Sequence, residues 1–149
     1  EEVVIRHKNK SGEYFYPNNK EPIYRINTLA RTSKMPLMKG FDIEVLKRNI
    51  DAKDKFESSL HYYVYNYGET NVEFNWELNN KKYKEMINTG DSIYIQPFVK
   101  HYFSNSGNEN AKVLAVGVSG AINLSAQKEL SYFSDFKRVA YETKQWFDW

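Results

Sequence analysis

Val72-Glu73-Phe74-Asn75-Trp76-Glu77-Leu78, then Asn79-Asn80, then Lys81-Lys82-Tyr83-Lys84-Glu85-Met86-Ile87, is the stretch that decides the fold. Val72, Phe74, Trp76 and Leu78 fall on one side of an extended chain, and Glu73, Asn75 and Glu77 on the other. Alternation of period two marks a strand with one face in the core and one in water. Asn tolerates positive φ, so Asn79-Asn80 supplies a tight turn and the chain returns over Lys81–Ile87. A β-hairpin is therefore expected.

The same grammar extends outward. Tyr14-Phe15-Tyr16-Pro17 is a possible short edge strand, and Ile23 to Thr32 and Phe41 to Leu46 read as strands. Lys47 to Lys55 is charged, has no apolar period, and reads as a loop. His61 to Tyr67 is a tyrosine-rich strand. Gly90-Asp91 turns the chain into Ser92–Gln96, which ends at Pro97; His101 to Ser104 follows, then a turn from Asn105 to Asn110. Ala111 to Val118 is an unbroken apolar strand. Many short strands separated by turns at 8–12-residue spacing predict an all-β sandwich or barrel. After Gly120 the period changes: Leu124, Leu130, Phe133 and Phe136 to Val139 suit one helix capped by Ser125, followed by an aromatic tail with Trp146, Phe147 and Trp149.

Composition sets the outer limits. The chain has 149 residues, 41% hydrophobic and 16% aromatic, enough for one domain with a core. Its aromatic weight, 12 Tyr and 9 Phe, favours strands over a helical bundle. A net charge of +2 does not call for nucleic acid. Lys81, Lys82 and Lys84 form the densest positive run and read as a solvated face of the hairpin. The absence of Cys excludes disulfides, thiolate metal sites and a Cys nucleophile. No apolar run approaches the ~20 residues that span a bilayer, and no signal peptide is visible, so a cytoplasmic protein without membrane contact is expected. The chain begins Glu1-Glu2-Val3 without Met, so a trimmed chain or one domain of a longer protein is expected.

Chemistry concentrates on two histidines. His61 lies in a strand with Tyr63, Tyr65 and Tyr67 on the same face, and Glu57, four residues earlier, shares that parity. His101 closes the string Gly90-Asp91 to Pro97 to His101, with Asn105 four residues on. Two imidazoles and a carboxylate brought into one barrel interior are the ligand set of mononuclear iron(II) oxygenases, with open positions left for oxygen and substrate. Glu57, His61 and His101 are thus the expected metal ligands, and Gln96 and Glu69 rival Glu57 for the third place. Each has a plainer reading. His61 is also read as a satisfied residue in an aromatic core, Glu57 as a loop carboxylate, and Glu69 as an exposed turn residue. His7 lies in a polar stretch with no chemical partner in sequence. No Gly-rich phosphate loop or nucleophile elbow occurs, and Glu73 and Glu77 share a face that reads as solvated.

Leu29-Ala30-Arg31-Thr32, Pro36, Ile43-Glu44-Val45-Leu46, the His61 strand ending at Gly68-Glu69, and Gly90-Asp91 to His101 together resemble the cupin domain of the phosphonate-processing non-heme iron oxygenases. The similarity runs over about residues 22–120. It implies a single cupin domain, a jelly-roll barrel with a C-terminal helix and tail over 124–149. It also implies Fe(II) as cofactor, O2 and a small hydroxyalkylphosphonate as partners, and a homo-oligomer or a second cupin domain beside it. His101 matches the family's last ligand, and His61 falls at its carboxylate or amide position. Tyr24 has a counterpart among the family's tyrosines, whereas Ile26 stands where another Tyr is expected. Tyr24 and Arg31 are the expected phosphonate contacts, since the guanidinium fork fits phosphonate oxygens; a structural ion pair is the plainer reading of Arg31. The alternative within this resemblance is a degenerate, non-catalytic cupin with a binding or structural role.

Overall fold

A computed structural model describes residues 3–8, 12–46, 55–105, 107 and 109–119. Nine strands follow in chain order: β1 (Glu13–Tyr16), β2 (Tyr24–Thr28), β3 (Lys39–Val45), β4 (His61–Tyr65), β5 (Val72–Leu78), β6 (Lys81–Ile87), β7 (Ser92–Ile95), β8 (Lys100–Asn105) and β9 (Ala111–Val118). They form two sheets, ordered β1-β2-β3-β9-β4-β7 and β6-β5-β8, in which every pairing is antiparallel. The described part is all-β, as the alternation predicts. The helix and tail expected over 124–149 lie outside the described residues, as does most of the charged loop. Among the described residues no helix is long and apolar enough to cross a membrane.

The hairpin forms as read. Val72 pairs with Ile87 and Leu78 with Lys81, and Asn79 and Asn80 turn the chain at φ 52° and 63°. Consecutive left-handed residues match the turn to the strand twist. Tyr14–Tyr16 does join an edge strand, so the sheet begins ahead of residue 22.

Between the sheets lies one core. From the large sheet come Ile26, Ile43, Val45, Tyr62, Val64 and Val113, and from the small one Val72, Phe74 and Phe103. Strand β3 shows why: Lys39, Phe41, Ile43 and Val45 are buried while Gly40, Asp42 and Glu44 are half-buried. Tyr24 ties the two layers together. Its hydroxyl donates to the Phe103 carbonyl and accepts from the Phe103 amide, both at 2.9 Å. Buried amides close the turns. Asn66 Nδ2 donates to the carbonyls of Thr70 (3.0 Å) and Ile87 (3.1 Å), and its Oδ1 accepts from the Gly68 amide.

Candidate functional site

The interior of the sandwich is where a strand-borne imidazole would act, and one of the expected ligands is there. His101, on β8, is 4% exposed. Its Nδ1 lies 2.9 Å from the Val99 carbonyl. A carbonyl only accepts, so Nδ1 carries the proton and donates, which leaves the lone pair on Nε2. Burial pushes the imidazole down to about 4, with the bond to Val99 opposing the shift. The ring is thus neutral at physiological pH, in the state a metal requires.

The neighbours of His101 are rings. Phe56, Phe74 and Phe103 have centroids 5.6, 5.8 and 5.9 Å from it. Phe56 is the cross-strand partner of His101: its amide donates to the His101 carbonyl at 2.7 Å and its carbonyl accepts from the His101 amide at 3.0 Å. Phe56 occupies the place at which a carboxylate ligand was expected.

The parity of this segment explains the discrepancy. Phe56, Ser58, Leu60, Tyr62, Val64, Asn66 and Gly68 are all buried, and the odd-numbered residues between them are half-buried or exposed. Glu57 follows Phe56, which pairs with β8 of the small sheet, whereas His61 begins β4 of the large sheet. The expectation that His61 looks into the interior with His101 is therefore corrected: His61 projects from the outer face of the large sheet. There its Nδ1 and the Tyr94 hydroxyl share a hydrogen bond of 2.5 Å, and the two rings stack at 5.8 Å. Among the described residues no group of three or more His, Asp or Glu side chains is arranged to hold a metal. Glu57, His61 and His101 as placed here do not fit an iron ion.

Of the rival ligands, Gln96 and Glu69 are both exposed. Gln96 lines a groove of about 600 Å³ where β5 and β6 face β7, with Phe74, Trp76, Ile93 and Val99 as its apolar wall. Glu85 and Asp91 are its charged lining residues, and no Lys or Arg joins them among the described residues. Such a lining suits an apolar guest better than an anion.

Tyr24 and Arg31 are not brought together. Tyr24 is fully buried with its hydroxyl engaged by the Phe103 backbone. Arg31 is exposed, donates to the Pro36 carbonyl at 3.0 Å, and lines a different groove with Leu29, Met35 and Val116. His7 is exposed. The lysines of the hairpin are exposed as read, and Lys82 and Lys84 join Lys55 and Lys100 along an outer groove of about 380 Å³. Lys55 is held there by Glu77 at 2.6 Å. Sequence reasoning missed the buried amides of Asn66 and Asn105; the Asn-x-Gly spacing at Asn66-Gly68 and Asn105-Gly107 was the available sign of side-chain-closed turns.

Two antiparallel sheets enclosing an imidazole and an aromatic core define a fold that known proteins share. The hydroxyethylphosphonate enzyme HEPD of Streptomyces albus, solved with 2-hydroxyethylphosphonate and Fe(II) bound, superposes with a TM-score of 0.75 at 22% identity, over 89% of this chain and 30% of that one. HppE with Fe(II) and substrate gives 0.67 at 20% identity, over 78% and 60%. The hydroxypropylphosphonic acid epoxidase of S. wedmorenis in complex with fosfomycin gives 0.64 at 23%, over 77% and 59%. In sequence, the chain is 36% identical over 151 residues to methylphosphonate synthase of Nitrosopumilus maritimus (strain SCM1), covering 98% of this chain and 31% of that protein. No protein-family model matches. The chain thus resembles the phosphonate-processing non-heme iron oxygenases along nearly its whole length, and it spans about a third of the curated relative.

Proposed function

We propose that this chain is a cupin jelly-roll module, completed by a helix over 124–139, of an iron(II)- and O2-dependent oxygenase acting on a small hydroxyalkylphosphonate. The observation that carries the reading is the 36% identity to methylphosphonate synthase across 98% of the chain. The fold shared with HEPD and HppE, whose structures hold Fe(II) with substrate, supports it. Activity, substrate and oxygen use belong in this reading to a longer protein, of which a second cupin domain or further copies are part.

His101 offers one neutral imidazole, with the rings of Phe56, Phe74 and Phe103 beside it. The alternative for the module itself is a cupin with a binding or structural role inside the oxygenase. Anaerobic calorimetric titration with iron(II) separates the readings, run on the 149-residue chain and on the longer protein that contains it. Saturable uptake near one iron per chain by the 149 residues, lost in His101→Ala, places the metal in this module. Uptake only by the longer protein supports the structural role. No uptake by either ends the oxygenase reading.

A further inference from the structure

The outer face of the small sheet gathers positive charge into a groove. Register fixes its rows: Lys84 on β6, Asn75 on β5 and Tyr102 on β8 lie side by side, and Lys82, Glu77 and Lys100 form the next row. Side chains alternate along a strand, so both rows lie on the side away from Phe74, His101 and Phe103, which face the core. Lys55 reaches the same groove, whose volume of about 380 Å³ is on the scale of a small-molecule site. Ion pairing leaves most of the charge uncommitted. Lys55 Nζ meets Glu77 Oε1 at 2.6 Å, and the Glu73 carboxylate accepts from Ser104 Oγ at 3.3 Å. Lys82, Lys84 and Lys100 make no direct ion pair among the described residues. Their field still reaches Glu77, whose carboxyl is held below its usual range by the hydrogen bond from Lys55 and then by the charges of Lys55, Lys82 and Lys100. Four lysines against Glu73 and Glu77 leave the groove with an excess of two positive charges. A solvated lysine face does not account for Asn75. This amide lines the groove yet is 7% exposed, and its Nδ2 donates to the Glu73 carbonyl at 3.5 Å, long for such a bond. Buried amides are normally better served, so donor capacity is left over on the floor of a positive groove.

We propose that this groove binds a small phosphate-type anion carrying two or more negative charges. Lys82, Lys84 and Lys100 supply the counter-charge, and Asn75 Nδ2 and the Tyr102 hydroxyl supply neutral donors from the same lining. The donors come from three strands and from Lys55 ahead of β4, and so converge from several directions. A tetrahedral oxyanion accepts from several directions at once, whereas a planar carboxylate is best met by a planar fork such as arginine. Lysine serves phosphate as a point charge, and no arginine lines the groove among the described residues. Glu77 is the competing anion: it already occupies Lys55 and faces Lys82 and Lys100. The groove lies on the opposite side of β5 and β8 from His101. The assignment is therefore independent of the oxygenase reading, and either can fail alone.

The test is calorimetric titration of the metal-free 149-residue chain with inorganic pyrophosphate at low ionic strength. Metal is left out so that no bound ion can hold the probe. Saturable binding at one site per chain is expected, weakening as salt is added. Lys84→Ala and Lys100→Ala each weaken it roughly fivefold or more, and Lys84→Arg keeps most of the affinity because the charge remains. Glu77→Gln removes the competing carboxylate and tightens binding about twofold or more. Lys20→Ala, an exposed lysine outside the groove, changes it by less than about twofold. Absence of saturable binding overturns the proposal. An equal loss in Lys20→Ala also overturns it, because net charge alone then explains the affinity. Weaker binding in Glu77→Gln overturns it too, since the carboxylate would then be part of the site. Citrate bound as tightly as pyrophosphate overturns the choice of a tetrahedral anion.

Discussion

Two side chains carry the tightest commitments in this structure, and each gives a measurable consequence. His101 is a base buried among phenylalanines, with its folded value pushed from 6.5 down to about 4. Above pH 6.5 it is neutral in both the folded and unfolded states and has no effect on the pH dependence. Between about 6.5 and 4 the unfolded chain takes up a proton that the folded chain refuses. Stability therefore falls as pH falls through that window, by on the order of 3 kcal/mol for this group. Urea unfolding at steps from pH 7 to 4 should show that loss, and His101→Leu should lack its share. A variant whose pH dependence matches the parent would show that the ring titrates freely. Tyr24→Phe removes the hydroxyl that serves both the amide and the carbonyl of Phe103. It leaves a buried donor and acceptor without that partner, which costs roughly 1–3 kcal/mol. The same change would cost almost nothing if Tyr24 were a solvated substrate contact, so the unfolding midpoint distinguishes the two roles.

At the scale of strands, the hairpin and the tyrosine strand teach opposite lessons about what a sequence discloses. β5 was legible because polar and apolar residues alternate along Val72–Leu78, and β6 because Asn79-Asn80 accepts the φ that the turn back demands. β4 was legible as a strand and not as a pair of faces. His61-Tyr62-Tyr63-Val64-Tyr65 is amphipathic on both sides, so period two gives two equivalent answers, and only Tyr62 and Val64 turn out to be buried. What selects that answer is long-range packing. Tyr62 lies opposite Gly117 on β9, and its ring fills the volume that a side chain at 117 would need. A Cβ on residue 117 would fall 2.5 Å from the Tyr62 ring. Gly117→Ala is therefore expected to destabilise the protein by about 1–3 kcal/mol through overpacking. Tyr62→Leu in the same chain should recover part of the loss, an interaction that a double-mutant cycle by denaturant unfolding reads directly. Additive costs would mean that the ring and the glycine do not meet.

Across the whole molecule, the question is which face of each sheet looks at which, because that decides what the interior can bind. The candidate ligands were legible as residue types; their grouping was not, since it depends on the parity of β4 and on Phe56 being the residue that bridges to His101. Shifting β4 by one residue would bring His61 inward, but it would carry Tyr63 and Tyr65 in with it and turn Tyr62 and Val64 out to solvent. The structure therefore predicts that the two histidines behave differently in any iron(II) titration. His61→Ala should leave uptake, by this chain or by a longer protein containing it, within about twofold of the parent, because that ring serves Tyr94 on the outer face. His101→Ala should abolish whatever uptake the module itself supports, because among the described residues it is the histidine in the core. Loss of binding in His61→Ala with the fold intact would mean that β4 presents its other face to the interior.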